Sequence, residues 1–424
     1  MQLQETIGNT FWLFFDRMLR MALGLFVNTW VTRYLGPEKF GLLSFASAFV
    51  YIFSSIASLG LDWVVVRNIV RDPSRRSEIL GTAFVLKLLG GIITFVLSIF
   101  IIFILRPIDR PTHLLVGIIA FGTILNAFGT INFWFQSQVQ SKYSVYAKSV
   151  PFLIVSAVKV VLIFLHAPLI SFAWAALADI ALGSAGLITA YRVSGHHLKD
   201  WQSTRTMAKE LMRDSWPLLL TDIVMLAYMR IDQVMLGGMA SITEVGVYSV
   251  AVLLAETWYF VPMAVTSSIF PSIVKAREES EELFYNRLQK YYNLMAFLGY
   301  AIAIPVTLVA NWVVLLLFGT AYARAGPMLI GLIWAGLFMN ITIARSSFLT
   351  VMNWTRLHFC TDFLGCVLNV SLNYFLIPKY GGLGAVVASL IAYWFVAHGS
   401  CFLFKPLFVT GRMLTKAMIY PKIW

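Results

Sequence analysis

Residues 33–49 read RYLGPEKFGLLSFASAF, and residues 234–252 read VMLGGMASITEVGVYSVAV. Leu35-Gly36 aligns with Leu236-Gly237. Beyond a gap of four residues, Gly41, Ser44 and Ala46 align with Gly246, Ser249 and Ala251. Each stretch closes the first apolar run of one half of the chain. The echo poses the question on which the fold turns: one long bundle, or two related bundles in tandem.

Of the 424 residues, 59% are hydrophobic and only 12% charged, where a soluble domain carries about 25% charged residues. Runs of roughly 20 apolar residues cross a bilayer as helices, and such runs recur along the whole chain. We place twelve spans at about 10–34, 38–70, 79–105, 112–138, 146–166, 169–192, 212–237, 244–273, 290–318, 326–352, 357–377 and 383–408. Several exceed the hydrocarbon thickness and are expected to tilt or project beyond it. Pro151, Pro217, Pro262 and Pro305 are expected to kink or start helices. No polar stretch is long enough for a separate soluble domain. The fold class is therefore an all-α polytopic membrane protein. No secretory signal is expected, since MQLQETIGNT lacks a basic segment and Asp16 and Arg17 interrupt the following apolar run.

The basic connection YRVSGHHLKDWQSTRTMAKELMR, residues 191–213, divides the spans six and six. This gives an N-lobe at 1–195 (helices 1–6), an inter-lobe loop at 196–211, a C-lobe at 212–410 (helices 7–12) and a basic tail at 411–424. One alternating set of connections, with the tail, holds 20 Lys and Arg; the other set holds 6. By the positive-inside rule the richer side is cytoplasmic. Both termini then lie inside, as an even number of spans requires. An even separation also makes the two lobes parallel. Transporters built from such repeats hold substrate between the halves and rock them around it.

The net charge of +12 is topogenic charge facing lipid headgroups and needs no nucleic acid. Cys360, Cys366 and Cys401 have no metal or redox spacing, and His196-His197 reads as a solvated loop pair. We find no catalytic constellation, no nucleotide-binding loop, and no call for a metal or cofactor. A membrane-embedded glycosyltransferase or polymerase would need a large extramembrane loop or a reactive cluster, and neither is present.

The stretch TRYLGPEKFGLLSFASAFVYIFSSIASLGLDWVVVRNIVR (32–71) resembles the first hairpin of Wzx-type lipid-linked oligosaccharide flippases. So do FWFQSQVQSKYSVYAKS (133–149), IFPSIVKAREES (269–280) and IPKYGGLGAVVASLIAYW (377–394) in their places. These flippases form the polysaccharide transporter branch of the multidrug/oligosaccharidyl-lipid/polysaccharide exporter superfamily. The resemblance implies twelve helices in two pseudo-symmetric six-helix lobes around a central, basic cavity. It implies alternating-access transfer of an undecaprenyl-diphosphate-linked oligosaccharide repeat unit to the periplasmic leaflet of the bacterial inner membrane, as in O-antigen and lipopolysaccharide biosynthesis. It also implies a monomer, with membrane lipids, a polysaccharide polymerase and chain-length proteins as partners. The alternative is a cation-coupled multidrug exporter of the related branch, whose cavity would favour carboxylates.

Charges inside the spans are the candidate site residues, because a charge at mid-membrane costs at least about 2.5–3.5 kcal/mol. Asp16 and Arg20 share a face of span one, leaving Arg17 as a second cation there. In span seven, Arg230 and Asp232 are two residues apart and point in nearly opposite directions, so each needs a partner outside that helix. A diphosphate suits guanidinium forks. We therefore assign Arg17, Arg20, Arg230, Arg345 and Lys159 to anion binding. Lys159 has Asp179 as an alternative partner, and Arg345 could instead snorkel. Asp222, Asp232 and Glu256 are candidates for ion or proton coupling, with helix-to-helix hydrogen bonding as the alternative. Lys87 is expected to snorkel, and Asp62 to meet Arg67.

Overall fold

The computed structural model describes the backbone of residues 2–422 and the side chains of residues 20–140 and 142–422. Among them there are helices and turns and no strand. The first part of the chain forms α1 (Gln2–Ser58), α2 (Leu61–Arg71), α3 (Arg76–Leu105), α4 (Arg110–Leu125), α5 (Thr130–Ser137), α6 (Ser141–Phe164) and α7 (Leu169–Val193). Then follow α8 (Arg205–Met239), α9 (Ile242–Glu256), α10 (Phe260–Glu279), α11 (Glu281–Phe318), α12 (Ala325–Val351), α13 (Thr355–Tyr380), α14 (Gly382–Ala397) and α15 (Phe408–Ile419).

Nine segments among the described residues are long and apolar enough to cross a membrane, and Gly382–Ala397 is a shorter apolar helix. The first of the nine, Arg20–Arg71, holds two spans. Gly36 breaks α1 with φ 72°, a conformation open to glycine at little cost, and Pro37 behind it has no N–H to continue the ladder. Helix α8 supplies the remaining span; its intramembrane charges hide it from a hydropathy criterion. The twelve spans read from the sequence are thus accounted for.

The echo at 33–49 and 234–252 is an echo of burial. Leu35 and Leu236 are both buried, and Ala46 and Ala251 are both fully so. The chain break differs: Gly36 turns the first copy, whereas Gly237 stays inside α8 and the turn waits for Ser241, whose hydroxyl caps α9 through the Glu244 N–H at 3.1 Å.

Glycines set the helix spacing. A Cβ on Gly90 would lie 2.4 Å from the Ile56 carbonyl oxygen, and one on Gly186 would lie 2.4 Å from that of Ala147. Such close approach is how membrane helices gain packing energy where burial from water gives none. On the opposite side of α3, Val85, Leu89, Ile93, Val96 and Phe100 are exposed. They lie three, four or seven residues apart along much of the helix and form a lipid-facing stripe.

Packing divides the chain into two units, one ending at Leu226 and the other beginning at Ala227. The 198–204 connection and the first half of α8 therefore pack with the first unit. Met207 and Leu211 are buried in its core beside Leu61, Ile79 and Phe135. The Gln202 N–H donates to the Ser77 carbonyl at 3.2 Å, the Thr204 hydroxyl donates to Glu78, and Arg67 pairs with Asp214. The second unit centres on Phe284, Tyr291, Tyr292, Phe348 and Leu414, so α15 packs into it.

Candidate functional site

In the first unit, α1, α6 and α7 surround a cavity of about 190 Å³ lined by Arg20, Lys148, Asp179, Asn126 and Ser184, among others. Gly183 and Gly129 also line it, and a Cβ on either would meet nothing within 4 Å. Their missing side chains widen the space. The Arg20 guanidinium lies 5.1 Å from the centre of the Phe152 ring, a cation–π contact that orients the side chain. Asp179 lies within electrostatic range of both Lys159 and Arg20, two of the cations assigned to anion binding. Two cations and one carboxylate leave the lining net positive. Asn126 and Ser184 add amide and hydroxyl groups.

Lys148, which lines this cavity, is not among the candidate residues read from the sequence. The available signal was depth: it lies six residues beyond Lys142, about 9 Å further along the helix. Arg17 and its neighbour Asp16 lie outside the described side chains.

Near α2, Lys87 Nζ lies 3.3 Å from Asp62 Oδ1 and 4.7 Å from the centre of the Phe133 ring. Lys87 is buried, so it does not snorkel. Asp62 pairs with Lys87 because Arg67 is taken by Asp214. Asp222, on the half of α8 that packs in the first unit, is half-buried, with Asp62 as its electrostatic neighbour.

In the second unit the two charges of α8 find their partners on other helices, as their opposed directions require. Arg230 Nη2 donates to Glu256 Oε2 at 2.8 Å. Asp232, 3% exposed, accepts from the Tyr248 hydroxyl at 2.7 Å, from Ser389 and from the Asn373 amide. Asn369 continues this polar cage, accepting from Asn373 at 3.1 Å. The donors come from α9, α13 and α14 and are all neutral. A carboxylate held this way is satisfied by hydrogen bonds yet keeps its charge uncompensated, a setting suited to reversible uptake of a proton or small cation.

Arg345 is 0% exposed. It donates to Ser400 at 2.8 Å and Thr361 at 2.9 Å and lies 3.5 Å from Asp362 Oδ1. His358 meets the other oxygen of Asp362 at 3.3 Å. This cation ties α12 to α13 and to the segment after α14. Both of its terminal nitrogens are engaged by protein groups, while its Nε is buried without a hydrogen-bond partner among the described residues.

Comparison with known proteins gives the following. A family profile described as "Polysaccharide biosynthesis protein" matches residues 7–277. The curated "Probable flippase AglR" of Haloferax volcanii is 22% identical over 381 residues, covering 87% of this chain and 77% of its own. Among solved structures, the inward-closed lipid II flippase MurJ superposes with a TM-score of 0.71 at 14% identity, over 98% of this chain and 91% of its own. An inward-facing multidrug resistance MATE transporter of the MOP superfamily superposes with a TM-score of 0.70 at 16% identity, over 94% and 95%.

Proposed function

Because this chain belongs to the polysaccharide biosynthesis protein family, with the fold of MOP superfamily transporters, we propose that it is a flippase for an anionic lipid-linked oligosaccharide. The cargo we assign is an undecaprenyl-diphosphate-linked repeat unit, of the O-antigen type used in lipopolysaccharide biosynthesis. It is carried from the cytoplasmic to the periplasmic leaflet of the inner membrane by alternating access of the 1–195 and 212–410 lobes. Both termini are cytoplasmic in this reading. Polymerase and chain-length proteins would receive the product.

The observation that carries the reading is the cavity where Arg20 and Lys148 face Asn126 and Ser184. Guanidinium and ammonium groups at a phosphate contribute charge-assisted hydrogen bonds, and the amide and hydroxyl suit further phosphate or sugar oxygens. Arg230 is the matching cation on the first helix of the other half. Its bond to Glu256 makes it a switchable one: protonation of Glu256 would release the guanidinium to an anion. Asp232 is the coupling carboxylate, loaded with a proton or a monovalent cation.

Purified protein in vesicles containing a lipid-linked oligosaccharide should transfer it between leaflets, faster under a proton or sodium gradient. Arg20→Ala and Lys148→Ala should each stop transfer while the protein still expresses. Full transfer in both would overturn the site. The second reading is a cation-coupled drug exporter, favoured by the equally close MATE superposition and the caged Asp232. It would appear as extrusion of organic cations with no transfer of the lipid.

A further inference from the structure

A second cavity lies away from the cationic one. It measures about 180 Å³ and is lined by Gly81, Phe84 and Val85 of α3 and by Leu198, Trp201, Gln202 and Ser203 of the connection before α8. Its inner wall is aromatic: the Phe84 ring meets the Trp201 ring edge-on at 5.6 Å and the Phe128 ring at 5.1 Å. The connection is held firmly over it. The Trp201 indole N–H donates to the Tyr191 hydroxyl at 3.1 Å. Gly81 lets Gln202 approach so closely that a Cβ there would lie 2.4 Å from the Gln202 carbonyl oxygen.

Two observations identify what fills it. Val85 is the first member of the exposed stripe that continues through Leu89, Ile93, Val96 and Phe100, so the groove opens onto the lipid-facing side of α3. Gly81 to Val85 lie about 8–14 Å along the helix from Arg76, the depth at which headgroup gives way to acyl chain. The rim is basic. Lys199 and Arg205 are exposed and bracket the lining segment; the carboxylates beside it are Asp200 and Glu78, the latter bonded to Thr204 and paired with Arg75 at 3.0 Å. Gln202 and Ser203 add exposed polar groups beside them.

We propose that this groove is a binding site for one anionic membrane phospholipid, its acyl chain against Phe84, Val85 and Trp201 and its phosphate on Lys199 and Arg205. The lipid fastens the connection between the halves to α3. A Trp at such a boundary is at home, with an apolar ring in hydrocarbon and its N–H satisfied on the polar side.

The test is Trp201 fluorescence in phosphatidylcholine vesicles doped with brominated phosphatidylglycerol or, separately, brominated phosphatidylcholine. The Trp201 contribution is the difference between the protein and its Trp201→Phe variant. Brominated phosphatidylglycerol should quench that contribution at several-fold lower mole fraction, since each cation near an anionic headgroup contributes on the order of a fivefold preference. Lys199→Gln with Arg205→Gln should equalise the two lipids without abolishing quenching. Val85→Phe, on the exposed face and tolerable to folding, should fill the groove and remove quenching by both.

Equal quenching by the two lipids in the unmodified protein would overturn the proposal. So would unchanged quenching in Val85→Phe, or relief of quenching by a trace of polyprenyl diphosphate, which would make the occupant the cargo. The assay needs no transport, so its outcome is independent of the flippase reading.

Discussion

Arg230 and Glu256 meet at 2.8 Å through Nη2 and Oε2. The cation assigned to cargo and the carboxylate assigned to coupling are therefore one ion pair. Their side chains are 18% and 27% exposed, between the surface and buried limits.

That pairing has a measurable stability signature. Removing one partner should cost about 1–3 kcal/mol, between the near-zero value of exposed pairs and the 3–5 kcal/mol of buried ones. Glu256→Gln and Arg230→Gln should each lower the thermal midpoint in detergent. The double variant should lose less than the two single losses added together; strict additivity would mean the contact carries no coupling energy.

Asp232 accepts from Tyr248, Ser389 and Asn373 at once. An Asn there presents an NH₂ to a cage of donors, at a cost of about 1–3 kcal/mol. Asp232→Asn should still fold and still exchange lipid slowly, with the stimulation by an ion gradient gone. Undiminished stimulation would remove Asp232 from the coupling mechanism.

For Arg345 the expected defect is in folding. Its loss leaves Asp362 buried without its guanidinium, at a cost of about 3–5 kcal/mol, while Ser400 and Thr361 keep their bonds to the Val396 and His358 carbonyls. Arg345→Ala should give low yield and a broadened size-exclusion profile. Arg345→Lys, which lacks the fork, should rescue only partly. A well-folded Arg345→Ala protein that fails only in cargo binding would instead support a substrate role.

Helix spacing can be tested with two glycines of the first unit. Gly90→Ala puts a methyl 2.4 Å from the Ile56 carbonyl oxygen and should destabilise by about 1–3 kcal/mol through overpacking. Gly117→Ala meets only the Ile99 side chain at 3.7 Å. It should be neutral or raise stability by up to about 1 kcal/mol through helix propensity. Equal midpoints for the two variants would mean that α3 does not depend on its contact with α1.

Much of the fold was legible because the bilayer permits few solutions. A chain with apolar runs of spanning length and no polar domain must form helices. Gly36-Pro37 announces its own break, and the opposed directions of Arg230 and Asp232 follow from helix geometry alone. The site was legible only in part. Charge within a span marks Arg20, Asp232 and Arg345 alike, yet one lines a cavity, one sits in a cage of hydroxyls and amides, and one staples helices together. Lys148 was invisible for the converse reason: near a helix end a cation resembles any loop cation until the neighbouring helices show what it faces.

The sequence by itself determined the class, the number of spans and the repeat of buried Leu and Ala positions, since these depend on local hydropathy and periodicity. The tertiary structure decided partners. Lys87 went to Asp62, Arg67 to Asp214 and Arg230 to Glu256, choices set by residues 25, 147 and 26 positions apart. It also assigned the first half of α8 to the first unit. Pairing in a low-dielectric interior is settled by distance in space, and distance in space is the quantity that spacing along a chain leaves open.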